Sequence, residues 1–127
     1  DPLWSRGLGD VYKRQVRANG FVFVSGQLGF LPAAQPGERP QLAQGVAAQT
    51  EAALRSMAAI LQAAGSSMAQ VVNVTVYIPD VGLWNEVNSV YERSFGDHRP
   101  ARAIVPTREL HYGALVEISA IAVAAAG

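Results

Sequence analysis

Two charged side chains stand in segments that otherwise read as apolar strands. Arg102 lies in Pro100-Ala101-Arg102-Ala103-Ile104-Val105. A guanidinium there needs an anionic partner or a path to water, because an unpaired buried charge is costly. Its planar fork suits a carboxylate held through two parallel hydrogen bonds. The alternative is an arginine paired with an internal acid or turned to solvent on an edge strand. Glu117, in Leu115-Val116-Glu117-Ile118-Ser119-Ala120-Ile121, alternates with apolar positions and is placed to share a face with Leu115, Ser119 and Ile121. A carboxylate so placed is a candidate general acid or base, or half of a salt bridge, with Arg102 itself as a possible partner. The pair could form a carboxylate clamp and a proton-transfer group on neighbouring strands. Ser25-Gly26-Gln27 closes the second strand, where a glycine lets a backbone amide approach a ligand or simply makes a turn. Asn88 sits beside the buried stripe of a helix and could meet a ligand or face water. His98 and His111 are isolated in polar surroundings, without a second ligand at metal spacing; His111 could border a pocket, and solvated histidines are expected.

The elements that must position these residues are legible. Val16 to Asn19, the turn Asn19-Gly20 and Phe21 to Ser25 form a hairpin, since Asn-Gly accepts the positive φ angles of tight hairpin turns. Leu31 to Pro40, with Pro32, Pro36, Gly37 and Pro40, is loop. From Gln41 to Ala64 the residues Val46, Thr50, Ala53, Leu54, Met57, Ile60, Leu61 and Ala64 mark one face of an amphipathic helix ended by Gly65. Gln49, Glu51, Arg55 and Gln62 make its solvated side. Val71 to Ile78 is a strand covered on both faces. Asp80 caps a helix from about Val81 to Phe95 with Trp84, Val87, Tyr91 and Phe95 inward. Strands follow at Ala101 to Pro106 and Ala114 to Val123. The order β-β-α-β-α-β-β predicts an α+β fold, a mixed sheet with two helices on one face. Apolar residues on the other face call for a second copy of the chain to cover it.

Composition narrows the chemistry. The chain has 127 residues, ten basic against ten acidic side chains and no cysteine. Thiol nucleophiles, thiolate metal sites and disulfides are therefore excluded, and no apolar run is long enough for a membrane span. Phosphate loops and G-x-S-x-G elbows are missing as well. One lysine, Lys13, contrasts with seven arginines after residue 15. Ser5 to Gln15, SRGLGDVYKRQ, reads as the in-frame translation of a sequencing-library adapter, so residues 1–15 are taken as non-native and 16–127 as a single domain. With them set aside, seven basic and eight acidic side chains remain, a net charge of −1 that speaks against nucleic-acid binding.

Phe23-Val24-Ser25-Gly26-Gln27, Ala63-Ala64-Gly65, Val71 to Tyr77, Val87-Asn88-Ser89-Val90-Tyr91, Pro100-Ala101-Arg102 and Val116 to Ala122, in this order, resemble the RidA/YjgF reactive intermediate deaminases. The resemblance implies a chorismate-mutase-like fold, a homotrimer with sites at subunit interfaces, a cytoplasmic setting and no cofactor or metal. It also implies hydrolysis of 2-aminoacrylate and related 2-imino acids to 2-keto acids and ammonia. By position, Arg102 would bind the substrate carboxylate and Glu117 would orient or activate water. The amides of Gly26 and Ile104 would assist, and Ser25 and Asn88 would line the site. Ile104 stands where many members carry cysteine, and the family's upstream tyrosine falls on Tyr12, inside the non-native segment. A non-catalytic trimer that binds small keto or imino acids is the competing function, and a ribonuclease is disfavoured by charge.

Overall fold

The structure, a computed structural model, describes residues 14–33 and 35–125. Of the segment read as adapter-derived, Arg14 and Gln15 are described, and Tyr12 lies outside the described residues. Five strands form one mixed sheet: β1 (Gln15–Ala18), β2 (Phe21–Leu28), β3 (Val71–Ile78), β4 (Ala101–Pro106) and β5 (Glu117–Val123), in the spatial order β1-β2-β5-β3-β4. Two helices, α1 (Val46–Ala63) and α2 (Trp84–Phe95), join β2 to β3 and β3 to β4. Only β3 and β4 pair in parallel, the arrangement a helical crossover permits.

The hairpin is built as its sequence predicts. Asn19 and Gly20 take φ of 52° and 81°, and Ala18 pairs with Phe21 across a two-residue turn. The second strand, however, runs past Ser25 to Leu28 and bulges between Val24 and Gln27, so Ser25 and Gly26 lie within it rather than at its end. Helix α1 starts at Val46, not Gln41. Gly45 precedes it with φ of 88°, and Leu42 is drawn off to bridge Phe30. The eight inward positions read from its periodicity are all buried, and Gly65 ends it with φ of 81°.

Asp80 caps as expected, its Oδ1 accepting from the Gly82 amide at 2.8 Å, although the turn it caps is a 3-10 turn, Val81–Leu83, that leads into α2. Val87, Val90, Tyr91 and Phe95 of α2 are buried, and Trp84 is half-buried. The last strand begins at Glu117 rather than Ala114, because a 3-10 turn at His111–Gly113 precedes it and the Leu115 amide is spent on a side chain of α1.

The core lies between helices and sheet, with Val22, Val24, Val74, Val76, Ile118 and Ala120 meeting Leu54, Met57, Leu61 and Val87. Burial of such side chains contributes about 1.5–3 kcal/mol each. The other sheet face leaves Phe21, Phe23, Val72 and Val123 about 40% exposed, a surface apolar enough to be a contact face.

Candidate active site

Arg102 is presented by the edge strand β4 and gripped by α2. Pairing with β3 sets it opposite Val74, on the helix-bearing face. From there its Nη1 donates to Asn88 Oδ1 at 2.9 Å. Its Cζ lies 4.7 Å from the centre of the Trp84 ring and 4.8 Å from that of Tyr91. Trp84, Asn88 and Tyr91 are four and three residues apart on α2, so helical spacing puts them on one stripe. Each cation–π contact at an exposed site contributes about 0.5–1 kcal/mol. Asn88 Nδ2 donates to Glu92 Oε1 at 3.2 Å, which turns the amide oxygen toward the arginine.

Among the described residues no carboxylate pairs with Arg102. The guanidinium is exposed, held in place, and keeps donors for an anion. Burial pushes the Tyr91 hydroxyl above its ordinary value. Arg102 pulls it down through its charge and through a polar contact that falls short of hydrogen-bond geometry, and the charge of Arg99 adds to that pull. The Tyr91 oxygen itself is buried without a hydrogen-bond partner. The sequence marked Trp84 and Tyr91 only as helix core. The available signal was their shared stripe with Asn88.

Glu117 is elsewhere. Strand β3 separates β5 from β4, and the register sets Glu117 opposite Tyr77 and Leu28, on the face away from the helices. Val74 and Tyr77 are three residues apart in a strand and so point to opposite sides. The sequence-based expectation of a pair on neighbouring strands is thus corrected: within one chain Arg102 and Glu117 are neither adjacent nor on one face, and they form no salt bridge.

Glu117 lines a cleft of about 660 Å³ together with Gly26, Leu28, Phe30, His111 and Tyr112. His111 is exposed, as expected, and also borders this cleft, the other place the sequence allowed it. The β2 bulge brings Gly26 so close that a Cβ there would collide with the Glu117 carboxylate, which gives this glycine a steric reason beyond turn geometry. Ser25 donates its hydroxyl to the Arg14 carbonyl at 3.1 Å and accepts from Gln27 Nε2 at 3.3 Å. Gln27 Oε1 in turn accepts from Ser56 of α1 at 2.9 Å. Ile104 packs its side chain against the core beside β3. His98 bonds the Val71 carbonyl at 2.6 Å, a structural contact at the start of β3.

Gln49 went unmarked as a positioning residue. Placed on the solvated side of α1 by periodicity, it is buried. Its Nε2 donates to the Ala43 carbonyl at 3.0 Å, and its Oε1 accepts from the Leu115 amide at 2.9 Å. One side chain thereby ties the loop after β2 to the loop before β5, both of which contribute to the lining of the Glu117 cleft.

A two-layer α+β domain with an arginine held at one sheet edge and a carboxylate in a cleft lined by β2, two loops and α1 invites comparison with known proteins. The family model described as Endoribonuclease L-PSP matches residues 9–124. A RutC family protein of Aquifex aeolicus is 39% identical over 114 residues, covering 88% of this chain and 87% of that one. The human 2-iminobutanoate/2-iminopropanoate deaminase is 34% identical over 112 residues, covering 88% and 79%. The crystal structure of RidA from an Antarctic Psychrobacter superposes with a TM-score of 0.80 at 34% identity, covering 89% of this chain and 88% of that one. The chain belongs to the RidA/YjgF family, and its fold, a mixed five-stranded sheet with two helices, is the α+β arrangement that the sequence predicts.

Proposed function

We propose that this chain hydrolyses 2-imino acids, 2-aminoacrylate and its relatives among them, to 2-keto acids and ammonia. The observation that carries the reading is Arg102, exposed, locked by Asn88 and two rings, and without a carboxylate partner among the described residues. A substrate carboxylate would complete it through a two-bond clamp. The imine carbon is already electrophilic, so positioning and proton transfer suffice. Water adds to the C=N carbon while Glu117 accepts its proton. Starting from the protonated imine, Glu117 returns that proton to nitrogen, then takes the carbinolamine's hydroxyl proton as the C–N bond breaks and passes it to the departing ammonia, leaving the keto acid and ammonium. Gly26 and Ile104 would offer backbone amides, with Ser25 and Asn88 at the margins. No cofactor enters this balance. The name of the human relative supports the reaction class.

Because Arg102 and Glu117 face apart in one chain, a site holding both has to draw them from two copies. The exposed apolar sheet face supports a homotrimer with shared sites. The ribonuclease in the family model's description has less support, since seven basic against eight acidic side chains after residue 15 offer RNA little counterion release.

The test generates 2-aminoacrylate with a pyridoxal-phosphate lyase and follows pyruvate and ammonia. Addition of this protein should accelerate both, and Arg102→Ala should lower kcat/KM at least about 100-fold, the loss expected when a charged clamp on the reacting molecule goes. An Arg102→Ala variant with full activity would sink the assignment. Tight binding of 2-ketobutyrate with no turnover of any imine would point to the binding-only alternative.

A further inference from the structure

The bulge in β2 puts the Ser25–Gly26 peptide out of register with β5. The pairing steps from Val24 to Gln27 on one strand while it steps from Ala120 to Ile118 on the other, so Ser25 and Gly26 together answer the single residue Ser119. A peptide displaced in this way needs something other than the ladder to fix its direction.

Gln27 supplies it. Its Nε2 donates to the Ser25 carbonyl at 3.0 Å, and its Oε1 accepts from Ser56 of α1 at 2.9 Å. One side-chain amide thus bridges the bulge to the helix layer with both of its ends in use. The rest of Ser25 is held as well, since its backbone amide and its hydroxyl both donate to the Arg14 carbonyl, at 3.0 and 3.1 Å. All of these contacts lie within one chain.

Holding the Ser25 carbonyl also aims the next amide. The Ser25–Gly26 bond is trans, so in its plane the carbonyl and the Gly26 N–H point in opposite directions. With the carbonyl drawn onto the Gln27–Ser56 bridge, the Gly26 N–H is turned away from that bridge. Register sets Glu117 on the sheet face away from the helices, and Gly26 lies against it, since a Cβ there would collide with the carboxylate. The aimed amide therefore belongs to the residue that touches the proposed proton-transfer group.

We propose that Gln27 is a positioning residue: anchored to α1 through Ser56, it sets the Ser25–Gly26 peptide so that the Gly26 amide donates to the substrate carboxylate clamped by Arg102. The inference rests on the imine-hydrolase reading for its substrate. A carboxylate keeps lone pairs after a two-bond arginine clamp, whereas an imine carbon offers an N–H donor nothing to accept. The carboxylate is present in substrate and transition state alike, so this hydrogen bond strengthens the binding of both. Its loss should raise KM and leave kcat nearly unchanged. A bridge that merely pinned α1 to the sheet would lower stability without that split.

Ser25-Gly26 is the one Ser-Gly pair in the sequence, so isotope labelling of serine at its carbonyl carbon and of glycine at its nitrogen marks this peptide alone in an NMR spectrum. The experiment adds 2-ketobutyrate, which needs no turnover, to the whole chain, and the Gly26 amide proton should move downfield. Gln27→Met keeps the length of the side chain and removes both hydrogen-bonding ends. It should lose most of that shift and bind 2-ketobutyrate about ten-fold more weakly by calorimetry, the scale of one hydrogen bond to a charged group. KM for the imine generated from alanine by an amino-acid oxidase should rise by the same factor, with kcat within about two-fold. Ser56→Ala removes only the anchor and should move the same quantities in the same direction by a smaller factor; it carries the test if urea unfolding finds Gln27→Met unfolded. Imine turnover by the unaltered chain without a shift of the Gly26 amide overturns the positioning role and leaves the hydrolase standing. A folded variant that keeps both the shift and KM, or that loses kcat alone, does the same. No imine turnover, with a 2-ketobutyrate shift that the variants lose, overturns the hydrolase and leaves the aimed amide. Neither turnover nor shift in the unaltered chain overturns both.

Discussion

Arg102 shows how a charged residue in an apolar strand is accommodated without an acid. Its guanidinium escapes the core at an edge strand and is held by an amide oxygen and two rings, so its charge remains available. The need for such an exit was legible from Arg102 and its apolar neighbours. The identity of the grip was not, because Trp84 and Tyr91 obey the helix period of the core and nothing local separates the two roles.

Tyr91 carries a cost of this arrangement, a buried hydroxyl without a partner. Removing it should be neutral or stabilise the fold by about 1 kcal/mol, the scale of an unpaired buried polar group; urea unfolding of Tyr91→Phe measures this. Burial also holds the Tyr91 pKa above the ordinary value of 10.0. Above pH 10 the unfolded chain releases this proton while the folded chain retains it, so folding stability should fall as pH rises from 10 through the folded pKa. Tyr91→Phe should show a shallower fall over the same range, and an identical slope would contradict the assignment.

At the level of elements, the strands and helices follow from periodicity, and the departures all have nonlocal causes. Helix α1 begins late because Leu42 bridges Phe30, β5 begins late because Leu115 bonds Gln49, and β2 runs on through a bulge that makes room for Glu117. Gln49 is the clearest case. Its position on the helix wheel says solvent, and only the loop folded over α1 buries it. Gln49→Ala should lose two buried hydrogen bonds and leave the Ala43 carbonyl and the Leu115 amide unpaired, a cost of about 2–3 kcal/mol. Chemical denaturation should register that loss, and hydrogen exchange at Leu115 should quicken more than exchange at β3. Unchanged exchange at Leu115 would mean that the two loops are held by other contacts.

For the whole molecule, fold class and membership in the RidA/YjgF family were legible from six short motifs in order, whereas the relation between Arg102 and Glu117 was not. Two residues on strands with the right alternation can share a face or oppose each other, and the strand order and register decide which. The order β2-β5-β3-β4 sends them apart. The central claim is that a complete site takes Arg102 from one copy and Glu117 from another.

Mixed assembly tests that claim most directly. Arg102→Ala and Glu117→Ala, each expected to be inactive alone, are co-refolded in equal amounts, and imine hydrolysis is measured on the purified mixed assembly. If each site draws on two copies, random assembly should restore about a quarter of wild-type activity, since a site is intact when its first chain retains Arg102 and its neighbour retains Glu117. A mixed assembly as inactive as either parent would contradict the account.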